Sequence, residues 1–128
     1  MNKTPVDIDQ EAILLFHDLA EQRDNYARTD EKAGFTVSSE FRHRFFSLLD
    51  VLNLRLIDDR DNFFGYFLFQ ADRDLRFHLD SPTGTTFKNG RYTLYFNPYL
   101  FLQLTAEQME SAVKHEVLHI LSLHVPKT

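Results

Sequence analysis

Apolar residues return at helical spacing from the start of the chain: Ile8, Ala12, Leu15, Phe16 and Leu19 share one face, and Glu11, Asp18, Glu21 and Arg23 the other. This predicts a helix from about Asp7 to Ala27, with His17 beside its polar face as an exposed residue. The polar stretch from Arg28 to Thr36 contains Gly34 and reads as a loop. Ser38 or Ser39 then caps a second helix with Phe41, Phe45, Leu48, Leu49 and Leu52 in one stripe. It fades near Leu56, before the polar break Asp58-Asp59-Arg60-Asp61-Asn62. Arg42-His43-Arg44 lies between the first aromatics and reads as a solvated helix face rather than a binding patch.

From Phe63 the period changes. Phe63 to Phe69 is a continuous aromatic run that suits a strand covered on both faces. Beyond Asp72-Arg73-Asp74 the pattern alternates, with Leu75, Phe77 and Leu79 inward against Arg76, His78 and Asp80. The two runs predict a hairpin with one wet face. His78 and Asp80 on that face are either surface residues or contributors to a cleft. Ser81 to Thr85, with Pro82 and Gly84, reads as a loop. Asn89-Gly90 is a two-residue hairpin turn, and Tyr92 to Phe96 is its outgoing strand. Asn97-Pro98 ends that strand, and Tyr99 to Leu104 is a short apolar connection.

The last helix is well punctuated. Thr105 and Gln108 form a capping box, with Leu104 and Met109 placed for the hydrophobic staple around it. No Gly or Pro interrupts the run from Ala106 to about His124, and Pro126 stops it. The order is helix, helix, four short strands in hairpins, helix. That is an α+β fold with a small, mainly antiparallel sheet, in one domain over residues 1–128.

Composition narrows the function. Thirteen Phe and five Tyr without Trp make the core aromatic. A net charge of −5 with interspersed signs leaves no basic patch, which argues against nucleic acid or an anionic membrane surface as a partner. With no cysteine, any metal must be held by nitrogen and oxygen. The acidic cluster at Asp58–Asn62 lacks the ligand alternation and turn glycine of a calcium loop. The apolar runs are far shorter than the roughly 20 residues of a membrane span, and with Asp7, Asp9 and no apolar core in Met1–Gln10 no secretory signal is expected there. The expectation is a soluble, cytoplasmic protein.

The residues that carry chemistry are His115-Glu116-Val117-Leu118-His119. Histidines four apart on a helix stack one turn above each other, with Cβ atoms about 5–6 Å apart, and both can reach one zinc ion. Glu116 is rotated about 100° from His115, so it flanks the metal and is free to act as the base of a hydrolytic site. Taking His115 as zero, His119 falls near 40°, whereas Met109, Val113, Val117 and Ile120 centre near about 160°. Metal face and core stripe therefore lie on opposite sides. Leu118 and Leu123 extend the apolar surface and predict a helix buried under the sheet. His124 falls near about 180°, away from the ligands, and reads as packing at the helix end.

Beside this motif, Asn62-Phe63-Phe64-Gly65-Tyr66, Asn89-Gly90, Tyr95-Phe96-Asn97-Pro98 and Leu104-Thr105 occur in an order that is familiar. The C-terminal two-thirds of the chain resembles a bacterial family of metallopeptidase domains often found ahead of a von Willebrand factor A-like domain. The resemblance implies a zincin-like fold, His115 and His119 as Zn2+ ligands, Glu116 as catalytic base, and a peptide or protein substrate. It also implies that the Tyr92–Phe96 strand pairs with an extended peptide beside the metal. Family members continue beyond the HExxH helix, whereas here nine residues follow His119. A catalytic zinc takes three protein ligands and a water. The third is therefore His124, His78, Asp80 or a group outside this chain, on a partner or a missing C-terminal domain. Two functions compete: a zinc-dependent peptidase or related hydrolase, and a non-catalytic interaction module with a structural or vestigial metal half-site.

Overall fold

The computed structural model describes residues 7–27, 35–58 and 71–124, with the backbone alone at 57–58 and 121–124. Three long helices form as their apolar stripes predict. Helix α1 (Ile8–Ala27) buries Ile8, Ala12, Leu15 and Leu19. Its first turn is capped by Asp7, whose Oδ1 accepts from Gln10 N at 3.2 Å. Helix α2 (Ser39–Asp58) buries Phe41, Phe45, Leu48, Leu49 and Leu52. Ser38 is its cap, with Oγ accepting from Phe41 N at 3.1 Å. The expected strand at Phe63–Phe69 lies outside the described residues.

The sheet departs from an all-hairpin plan. Strands β1 (Asp72–Leu75), β2 (Thr83–Lys88) and β3 (Arg91–Phe96) lie in the order β1-β3-β2. The hairpin of β2 and β3 is antiparallel, and Asn89 (φ 56°) and Gly90 (φ 77°) give it the left-handed turn that Asn-Gly favours. Strand β1 runs parallel to β3, from Asp72 opposite Thr93 to Leu75 opposite Phe96. The sheet is therefore mixed, and the alternation at Leu75–Leu79 does not continue as a strand.

Asn97 explains why. The chain leaves β1 after Arg76 N donates to Phe96 O at 2.9 Å, then crosses the end of β3 to enter β2. Buried Asn97 holds that crossing: Nδ2 donates to Leu79 O at 2.9 Å and Phe77 O at 3.3 Å, and its backbone N donates to Pro82 O at 2.9 Å. One side chain satisfies carbonyls that would otherwise call for a ladder partner. Its Oδ1 also accepts from Tyr99 N at 3.1 Å, which starts a one-turn helix, α3 (Pro98–Phe101), where an irregular connection was expected.

Helix α4 (Ala106–His124) is the last described element. Its capping box is reciprocal: Gln108 N donates to Thr105 Oγ1 at 3.2 Å and Thr105 N to Gln108 Oε1 at 2.9 Å. The stripe Met109, Val113, Val117 and Ile120 is buried against α2 and the inner sheet residues Leu94 and Phe96. Phe45 sits centrally among the rings of Phe41, Phe96 and Phe101, with centroids 5.9–6.2 Å away. Leu118, expected under the sheet, is instead 54% exposed, so α4 keeps one open face. No helix among the described residues is long and apolar enough to cross a membrane.

Candidate metal and hydrolytic site

The open face of α4 carries His115 and His119, both exposed, with Glu116 half-buried between helix and sheet. The segment is helical throughout, so the two imidazoles stand one turn apart with their neighbouring carboxylate rotated toward β2. There Glu116 meets two hydroxyls. Thr83 Oγ1 donates to Oε1 at 3.0 Å, and Thr85 Oγ1 reaches Oε2 at a weaker 3.4 Å. Residues two apart on a strand share a face, so Thr83 and Thr85 grip one oxygen each. Thr83 is itself buried, whereas Glu116 keeps part of its surface open to the cleft beside it.

Sequence reasoning missed both threonines because it read 81–85 as a loop. A signal was available. A two-residue turn pairs strands of equal length, and six residues from Arg91 to Phe96 require six before Asn89, reaching back to Thr83.

His115 and Glu116 line one cleft of about 750 Å³ with Ser81, Pro82, Ser111 and Glu107. His119 lies one turn further along the helix and is not part of its lining. Among the described residues, no three of His, Cys, Asp and Glu come together as a metal-holding group. His78 lines a separate cleft with Arg23 and Phe35, and Asp80 is exposed beyond the turn that follows β1. The side chain of His124 lies outside the described residues. The donor set is thus two imidazoles beside a hydrogen-bonded carboxylate, which suits two of the protein ligands of a zinc ion and an adjacent base.

Two other expectations are settled by geometry. Strand β3 has β1 on one side and β2 on the other, so Tyr92–Phe96 has no edge to offer a peptide; among the described strands the free edge next to α4 belongs to β2. The Arg42-His43-Arg44 triplet is used within the fold. Arg42 pairs with Asp74 at 3.0 Å and Arg44 with Glu11 at 2.8 Å, while His43 is exposed.

A family model described as a putative metallopeptidase domain matches residues 55–127. No curated protein and no solved structure matches the chain.

Proposed function

The chain belongs to the family described as a putative metallopeptidase domain, and we propose on that footing that it is a zinc-dependent peptidase whose centre is His115, Glu116 and His119. The observation that carries this reading is the placement of Glu116, one residue from a candidate ligand and held by Thr83 and Thr85 at a cleft. His115 and His119 would hold the metal, on a helix face that the core leaves open. Zinc, when bound, supplies a polarised scissile carbonyl and an activated water of pKa about 7.

The remaining work belongs to the chain. Glu116 accepts the proton of the attacking water and returns it to the leaving amine, a role that contributes roughly 10²–10⁴-fold. The two threonine hydroxyls hold its carboxylate in one rotamer throughout, so no reorganisation is needed as the proton moves. Among the described strands β2 is an edge of the sheet, and it would offer backbone donors and acceptors to an extended peptide. The fold around these residues is in this reading zincin-like, with the HExxH helix beneath an edge strand.

The deciding experiment compares zinc binding and peptide hydrolysis in the parent chain, Glu116→Gln and His115→Ala. Glu116→Gln is expected to bind zinc with unchanged affinity and lose hydrolysis, and His115→Ala to lose both. Turnover retained in Glu116→Gln would overturn the mechanism. Tight zinc with no hydrolysis in any chain would favour the non-catalytic module.

A further inference from the structure

A second cleft, of about 460 Å³, lies between the end of α1, Phe35 and the turn after β1, and shares no lining residue with the cleft at His115. Its floor is aromatic. Tyr26 packs edge-on to Phe35 at 5.5 Å, Phe35 to Phe77 at 5.3 Å, and Phe77 to Tyr99 at 5.9 Å. Among the described residues that line it the charge is of one sign: Arg23 and Arg76 stand there with His78, and no described Asp or Glu joins them. In a chain of net charge −5, where five other arginines pair with carboxylates at 2.8–3.0 Å, this is a local inversion.

The two guanidinium groups are also held in a particular way. Arg23 lies over the Tyr99 ring at 4.9 Å and the Phe35 ring at 5.7 Å, and Arg76 over Tyr95 at 4.0 Å. A guanidinium that rests over a ring keeps N–H donors available to a carboxylate or phosphate. Among the described residues neither Arg23 nor Arg76 has a carboxylate partner within ion-pair distance. The Tyr99 hydroxyl, on the ring beneath Arg23, is buried and likewise makes no hydrogen bond to a described residue.

We infer that this cleft is a binding site for a small aromatic oxyanion, a flat ring bearing a carboxylate or phosphate, with the ring on Phe35 and Phe77 and the anion between Arg23 and Arg76. Arginine is required rather than a generic cation, because the planar fork both stacks and donates. The aromatic body sets the site apart from a counter-ion position, since a bare anion gains nothing from the floor.

The test is a titration of the full chain with AMP and 2-naphthoate, their uncharged counterparts adenosine and 2-naphthylmethanol, and inorganic phosphate. Amide and arginine Nε–H signals are followed by NMR. At least one charged probe is expected to bind saturably below about 1 mM and to shift signals at Arg23, Phe35, Arg76 and Phe77. Its uncharged counterpart, inorganic phosphate and the variants Arg23→Gln and Arg76→Gln are each expected to bind roughly tenfold more weakly or worse, as loss of a charge-assisted hydrogen bond implies. Both arginines are exposed, so the variants leave the core intact, which unchanged amide spectra elsewhere would verify. No saturable binding of either charged probe up to about 10 mM overturns the inference. So does equal binding of the uncharged counterparts or of phosphate alone, or binding that survives both substitutions.

Discussion

Replacing Thr83 by Val removes one hydroxyl at nearly constant volume and leaves Glu116 Oε1 without its 3.0 Å donor. A hydrogen bond to a charged group contributes about 1.5–3 kcal/mol, and the half-exposed position of Glu116 puts this one toward the lower end. If the bond orients the base, Thr83→Val lowers kcat for peptide hydrolysis roughly tenfold while KM and zinc affinity stay as they were. Thr83→Ser, which restores the hydroxyl, restores kcat. A valine variant with parental kcat would show that the contact only fastens helix to sheet. The motif residues themselves were legible because HExxH is a local pattern on one helix. Their hydrogen-bond partners were not, since Thr83 and Glu116 lie 33 positions apart and hydroxyls carry no periodic signal.

At the scale of elements, the N-terminus of α4 is fastened twice. The capping box was readable from Thr105 and Gln108, but the structure adds Asp9 of α1, whose Oδ1 accepts from Ala106 N at 2.8 Å across 97 residues of sequence. Asp9→Ala and Thr105→Ala are each expected to lower unfolding stability by about 1 kcal/mol, as for other lost caps. Urea titration of both single variants and the double gives the check. A double variant no less stable than Thr105→Ala alone would mean that Asp9 contributes nothing. All three long helices were legible because each buries a stripe that repeats at 3.6 residues, and in the second and the last a capping side chain marks the start. The sheet was less so. Leu75, Phe77 and Leu79 alternate as a strand does, yet Asn97 takes the carbonyls of Phe77 and Leu79, and Phe77 turns aside to pack on Phe35 and Tyr99. A tertiary hydrogen bond overrode a local pattern, and parallel pairing of β1 with β3 followed from where the crossing chain had to go.

The molecule as a whole separates what holds it together from what it does. The buried cluster runs through α1, α2, α4 and the inner face of β3, whereas His115 and His119 stand on the exposed side of α4 and contribute nothing to it. Phe45, fully buried among the rings of Phe41, Phe46, Phe96 and Phe101, is the test of the first half. Its replacement by Ala is expected to cost about 3–5 kcal/mol, a large share of the roughly 5–15 kcal/mol that domains have, so much of the variant should be unfolded at 37 °C by circular dichroism. Metal removal tests the second half. A small domain whose zinc is structural unfolds when the ion is chelated, because binding and folding are then one equilibrium. Here the histidines lie outside the buried cluster of the described residues. Metal-stripped protein should keep its helical circular dichroism and a cooperative thermal transition, and added zinc should stabilise it only by the linkage amount, about 2.7 kcal/mol at one hundred times Kd, with a matching rise in the midpoint. The same shift should vanish in His115→Ala. Collapse of the stripped protein would instead make the metal part of the fold, and α4 could not then be a preformed platform on which Glu116 waits for substrate.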